Sequence, residues 1–71
     1  MTAVDLIREA LDRAYNRYHG VVVMLDIDSS VDAAIVERVF SEWNRQDTIR
    51  LEMRLDRLHD GRYVMSHVQW H

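Results

Sequence analysis

The chain has no cysteine, no proline and no lysine, and only two of its 71 residues are glycine. Without cysteine no disulfide can supplement the core, and the composition fits a reducing compartment, so a cytoplasmic location is expected. Without proline there is no stiff linker, and no low-complexity tract or internal repeat divides the chain. Residues 1–71 therefore read as one domain, near the size at which a single core barely suffices. Two glycines cannot build a Gly-rich phosphate loop, and no serine stands in a G-x-S-x-G setting. The longest unbroken apolar run, Val21–Leu25, is far too short to span a membrane, so no membrane partner is expected. The first segment is a charged amphipathic run, which does not read as a signal peptide.

All nine basic residues are arginine, against twelve acids, for a net charge of −3. That balance weighs against general nucleic-acid binding. A GC-rich genome explains the arginine-only usage most simply. The functional alternative is a recognition surface built from planar, bidentate guanidinium groups. Residues 1–44 carry four arginines against eight acids, and 45–71 carry five against four.

Thr2 and Asp5 have the spacing of a capping box, although Asp reaches less well than Glu. Val4, Ile7, Leu11, Ala14 and Tyr18 follow at helical steps, with Asp5, Arg8, Glu9, Asp12, Arg13 and Arg17 on the other side. Gly20 is the expected stop. Val21–Ile27 is β-branched and apolar, and reads as a buried strand with Val21, Val23, Leu25 and Ile27 inward. Ser29 with Asp32, or Ser30 alone, is expected to cap a second helix bearing Ile35, Val36, Val39, Phe40 and Trp43, with Asn44 as its terminator.

The C-terminal third is the most informative stretch. Ile49, Leu51, Met53 and Leu55 alternate with Arg50, Glu52, Arg54 and Asp56, the period-2 signature of a half-buried strand. Asp60-Gly61 then suits a two-residue type I′ turn. Closing the hairpin at His59 and Arg62 sets Leu51 opposite Trp70, Met53 opposite Val68 and Leu55 opposite Ser66. A three-residue loop would instead place Met53 against His67. The first register keeps the faces unmixed and is the expected one.

The fold class is then α+β, with element order α-β-α-β-β. A right-handed crossover makes the first two strands parallel, and the hairpin partner inserts between them. The expected sheet is three-stranded and mixed, in order 1-3-2 (split β-α-β like), with two helices on one face. The core would take Val21, Val23, Leu25, Ile27, Leu51, Met53, Val64, Val68 and Trp70. The open face would show Arg50, Glu52, Arg54, Asp56, Leu58, Tyr63, Met65, His67, Gln69 and His71.

Val22-Val23-Met24-Leu25-Asp26-Ile27-Asp28-Ser29 resembles the first motif of haloacid dehalogenase-like phosphatases, a strand ending in D-x-D. The resemblance implies Asp26 as nucleophile and Asp28 as acid/base beside a magnesium ion. Yet the chain has no lysine for that family's cation, lacks a downstream Asp pair and is too short for its sheet. Asp28 and Ser29 are expected to serve the start of the second helix instead, where the dipole favours negative charge. His67 and His71 share a strand face, but four residues along a strand is roughly 13 Å, too far for one ion. No catalytic, cofactor-binding or metal-binding residue is therefore assigned, and an enzyme is not expected.

A small protein-binding module remains, of the regulator or inhibitor type that mobile elements and phages encode. It would act through a sheet edge or the open sheet face. The candidate contact residues are Val22, Met24, Arg50, Arg54, Tyr63, Met65 and His67. Self-association through the Val21–Leu25 strand is expected, because that strand lies at an edge and carries no protecting charge. The alternative is a nucleic-acid-binding module stacking bases on the Arg/aromatic open face. The alternating signs of Arg50, Glu52, Arg54 and Asp56 weaken that alternative.

Overall fold

A computed structural model describes residues 2–46 and 52–68. The elements are α1 (Ala3–Asn16), β1 (Val23–Met24), α2 (Ala33–Gln46), β2 (Met53–Arg57) and β3 (Tyr63–His67), the expected succession. The sheet order is β1-β3-β2, also as expected. Both junctions are antiparallel. Because β3 separates β1 from β2, no parallel pair is hydrogen-bonded, and the sheet is antiparallel rather than mixed.

The α1 start follows the capping-box reading. Thr2 Oγ1 accepts from the Asp5 amide at 3.2 Å, and Asp5 Oδ2 accepts from the Thr2 amide at 3.4 Å. The helix ends before Gly20, however. Arg17 is its C-cap, and the Arg17 N–H donates to Arg13 O and Ala14 O. Gly20, at φ +87, instead bends the chain from the helix toward β1.

Asp32, rather than Ser29 or Ser30, caps α2: its Oδ1 accepts from the Ala34 amide at 2.8 Å. The serines lie one turn too early. Asp28 folds that turn, accepting from the Ser30 amide at 2.9 Å on its side chain and from the Val31 amide at 3.1 Å on its carbonyl. Asn44 does not terminate α2, which runs on to Gln46.

The hairpin register is the one judged less favourable from sequence. Met53 lies opposite His67 and Leu55 opposite Met65; Leu51 and Trp70 are outside the described residues. The loop holds three residues, with Leu58 N–H on Arg62 O at 2.7 Å and Gly61 N–H on Leu58 O at 3.0 Å. Among the described residues none but glycine has positive φ, and Gly61 takes +90. A type I′ turn needs positive φ at both central positions, so Asp60 rules it out; the loop is a type I turn closed by a left-handed glycine bulge.

That one-residue shift turns β3 over. Tyr63 and Met65 are 2% and 0% exposed and belong to the core, while Val64 and Val68 are half-buried. A Tyr–Met pair buries more apolar surface than two valines, which favours this register once the helices cover the face. The core joins Ile7, Leu11 and Ala14 of α1 to Val36, Val39, Phe40 and Trp43 of α2, above Leu25, Met53, Tyr63 and Met65. Trp43 is buried in it: its ring meets Tyr15 edge-on at 5.8 Å, and its Nε1 donates to Asp12 at 2.8 Å. Trp70, expected in the core, is outside the described residues.

Candidate interaction surfaces

The ladder geometry determines what each edge offers. Leu25 N–H donates to Tyr63 O at 2.9 Å, so alternate residues of that strand, Leu25 and Val23, turn their backbone groups toward β3. Met24, between them, turns its N–H and C=O outward along the free edge. Arg17 Nη2 reaches the Met24 carbonyl at 3.2 Å. Regular pairing covers only Val23–Met24, shorter than the expected strand. Val21, Val22 and Met24 are 70%, 59% and 42% exposed, three of the five large apolar side chains most open to water among the described residues.

The opposite edge belongs to β2. Val68 N–H donates to Glu52 O at 2.9 Å, which by the same alternation turns Met53, Leu55 and Arg57 outward. Met53 has a partner: its N–H donates to Asn44 Oδ1 at 3.0 Å, and its C=O accepts from Asn44 Nδ2 at 3.2 Å. One side-chain amide thus makes the pair of bonds that a neighbouring strand would make. Beside it a groove of about 300 Å³ runs between α2 and β2, lined by Glu37, Phe40, Ser41, Leu55, Arg57 and Tyr63 among others. The Arg57 guanidinium lies 5.3 Å from the Tyr63 ring centroid. The Tyr63 hydroxyl is buried without a hydrogen-bond partner among the described residues.

The residues singled out from sequence are therefore dispersed. Val22 and Met24 are exposed at the β1 edge, and Arg54 is exposed on the helix-free face, 3.1 Å from Asp56. Tyr63 and Met65 are core residues and are not on the open face. His67, on the same side of β3 as Met65, is half-buried and faces the helices. The register shift moves all three together. Arg50 is outside the described residues. Asn44 reads from sequence only as a helix terminator, and neither its bonds to Met53 nor the α2–β2 groove is legible there, because no local pattern pairs a helix-borne amide with a strand nine positions on.

Asp26 and Asp28 line a second depression, of about 380 Å³, with Leu6, Ile7, Arg13, Ile27 and Val31. Hydrogen bonds from the Ser30 backbone, then from its side chain, hold the Asp28 carboxyl below its ordinary value. That carboxylate is engaged in folding its own turn. No group of three or more His, Asp or Glu side chains is placed to hold a metal among the described residues. No helix there is long and apolar enough to cross a membrane. No family model, curated protein or solved structure matches the chain.

Proposed function

We propose that the chain is a small non-enzymatic protein-binding module, of regulator or inhibitor type, whose β1 edge pairs with a second copy of itself. One observation carries this reading. Edge strand β1 and the two residues before it expose Val21, Val22 and Met24 together, and the segment itself contains no charged residue and no proline to discourage a neighbouring strand. A two-fold axis at β1 would join two three-stranded sheets into one of six strands. The Arg17–Met24 contact is a single exposed hydrogen bond, which a pairing strand displaces at a net cost of about 1 kcal/mol. Base stacking, the alternative, required Tyr63 on the open face, and Tyr63 is buried.

Light scattering at micromolar concentration tests the proposal. The expected mass is twice the 8.5 kDa of one chain. Met24→Lys should halve it while leaving the circular dichroism unchanged, since the side chain is exposed and the outward amide serves no internal ladder bond. A monodisperse single-chain mass for the wild type overturns the self-pairing.

A further inference from the structure

We infer that the groove between α2 and β2 is a docking slot for an extended peptide segment of a partner protein, which adds to the sheet as a strand beside β2. This surface is distinct from the β1 edge, and the inference does not rest on self-pairing there. Three observations converge on it.

The first is the edge itself. Leu55 and Arg57 present outward N–H and C=O groups with the spacing that a neighbouring strand engages, and no partner meets them among the described residues. The second is Asn44. Its amide already makes the two hydrogen bonds of such a strand at Met53, one step earlier on the same edge. The edge is thus capped at one end and open beyond it, which sets where an incoming segment must start. The third is the wall. Side chains of a strand laid against Leu55 and Arg57 fall alternately into the space bounded by Phe40, Ser41 and Tyr63.

The chemistry of that space restricts the occupant. Phe40 and Leu55 offer apolar contact, and the Tyr63 hydroxyl has no hydrogen-bond partner among the described residues. Glu37 and Asp56, which also line the groove, disfavour a carboxylate, and Arg57, already over the Tyr63 ring, disfavours a second cation. The inward residue is therefore neutral, with a short apolar stem and a carbonyl or hydroxyl oxygen that accepts from the buried Tyr63 hydroxyl once the overlying Arg57 guanidinium gives way: Asn, Gln, Ser or Thr. About four residues suffice to engage both outward positions.

Panning a display library of short randomised linear peptides against the folded protein tests this. Enriched peptides should place one of those four residue types beside an apolar residue, and should shift the amide resonances of Ser41, Leu55 and Arg57. They should also slow hydrogen exchange at the Leu55 and Arg57 amides, which in the free protein exchange faster than those of Arg54 and Asp56. Tyr63→Phe removes a hydroxyl that has no partner among the described residues. It should leave the melting temperature unchanged or raised while weakening the peptide about five- to tenfold. Ser41→Trp fills the groove from an exposed helix position and should abolish binding. Arg57→Pro removes an outward amide without touching the ladder and should do the same. No enrichment above background overturns the inference, as does mapping of the selected peptides to Val21–Met24 or to the open face. Undiminished binding by Tyr63→Phe overturns the assignment of its hydroxyl.

Discussion

The two edges of this sheet are guarded differently. At β2 the carboxamide of Asn44 satisfies both outward groups of Met53, and the strand goes on through Arg54, Asp56 and Arg57, charges that discourage indiscriminate pairing. At β1 the guard is one guanidinium nitrogen of Arg17, and it meets only the carbonyl of Met24. The flanking side chains there are valine, valine and methionine. Each guard comes from the C-terminal end of the helix next to its strand, Arg17 after α1 and Asn44 near the end of α2. A half-buried amide making two bonds is a fixed part of the packing. An exposed arginine making one is displaceable. The contrast suits β1 to a like strand and β2 to a segment selected by its groove.

The largest effect should come from the strand that both edges share. Met65 is paired with Val23 on one side and Leu55 on the other, and is fully buried. Met65→Ala should cost about 2–5 kcal/mol, a large share of the stability of a domain this small. Val64→Ala, on the half-exposed face, should cost about 1 kcal/mol or less. Urea unfolding of the two variants checks the difference. Equal costs, or a larger one at Val64, would restore the register in which the valines face the helices.

That register shows where sequence reasoning stopped. Both helices were legible because one periodicity dominates each: the Ile7–Leu11–Ala14 stripe with its Thr2–Asp5 box, and the Val36–Val39–Phe40–Trp43 stripe. Chain direction and crossover handedness set β1 and β2 running the same way, but they leave open whether the hairpin partner inserts between them. In β3, however, Tyr63, Met65 and His67 alternate as regularly as Val64, Ser66 and Val68, so period alone gives two equal answers. The decision lay in backbone angles at Asp60 and Gly61, which Asp-Gly leaves open, and in which face the helices cover. The candidate site was less legible still. Asn44 meets Met53 across nine positions, and Asp12 meets Trp43 across 31, contacts that exist only once α2 has packed.

Removing the guards should separate the edges next. Asn44→Ala leaves the half-buried N–H and C=O of Met53 without their partner and should cost about 1–3 kcal/mol. Arg17→Ala, at an exposed bond, should stay within about 0.5 kcal/mol. Thermal melts of the two variants suffice, and a larger loss at Arg17 would reverse the ranking of the edges. Gly61→Ala acts on β2 alone. An added Cβ would meet Arg57 Nη2 at 3.6 Å and Ser29 Cβ at 3.8 Å, ordinary contact distances, so the cost is the left-handed backbone, about 1–2 kcal/mol. It should appear as faster exchange of the hairpin amides with β1 less affected.

The smallest effect should be a response to acid, shared by the turns that follow the two edge strands. Asp28 lies in the turn after β1 and Asp60 in the turn after β2, and each accepts the amide two residues on. The distances are 2.9 Å from Ser30 to Asp28 and 3.0 Å from Arg62 to Asp60. In both, that backbone bond is the first cause of a carboxyl held below its ordinary value of 3.8, and at Asp60 the Arg62 guanidinium adds to it at 2.6 Å. A depressed carboxyl binds its proton less readily folded than unfolded. Its contribution is thus complete above the unfolded value and is lost as pH falls through the folded one. Stability should be level from neutrality down to about pH 5 and should decline below pH 4. Both groups are exposed, so the decline from this source is shallow and salt screens the Asp60 share. Asparagine keeps the acceptor oxygen but cannot titrate. Asp28→Asn and Asp60→Asn should therefore each flatten the acid limb, with Asp60→Asn doing more at low ionic strength because it also removes the Arg62 pair. Melting temperatures between pH 3 and 7, at low and high salt, measure this; a limb unchanged by both substitutions would mean that other carboxylates set the response to acid.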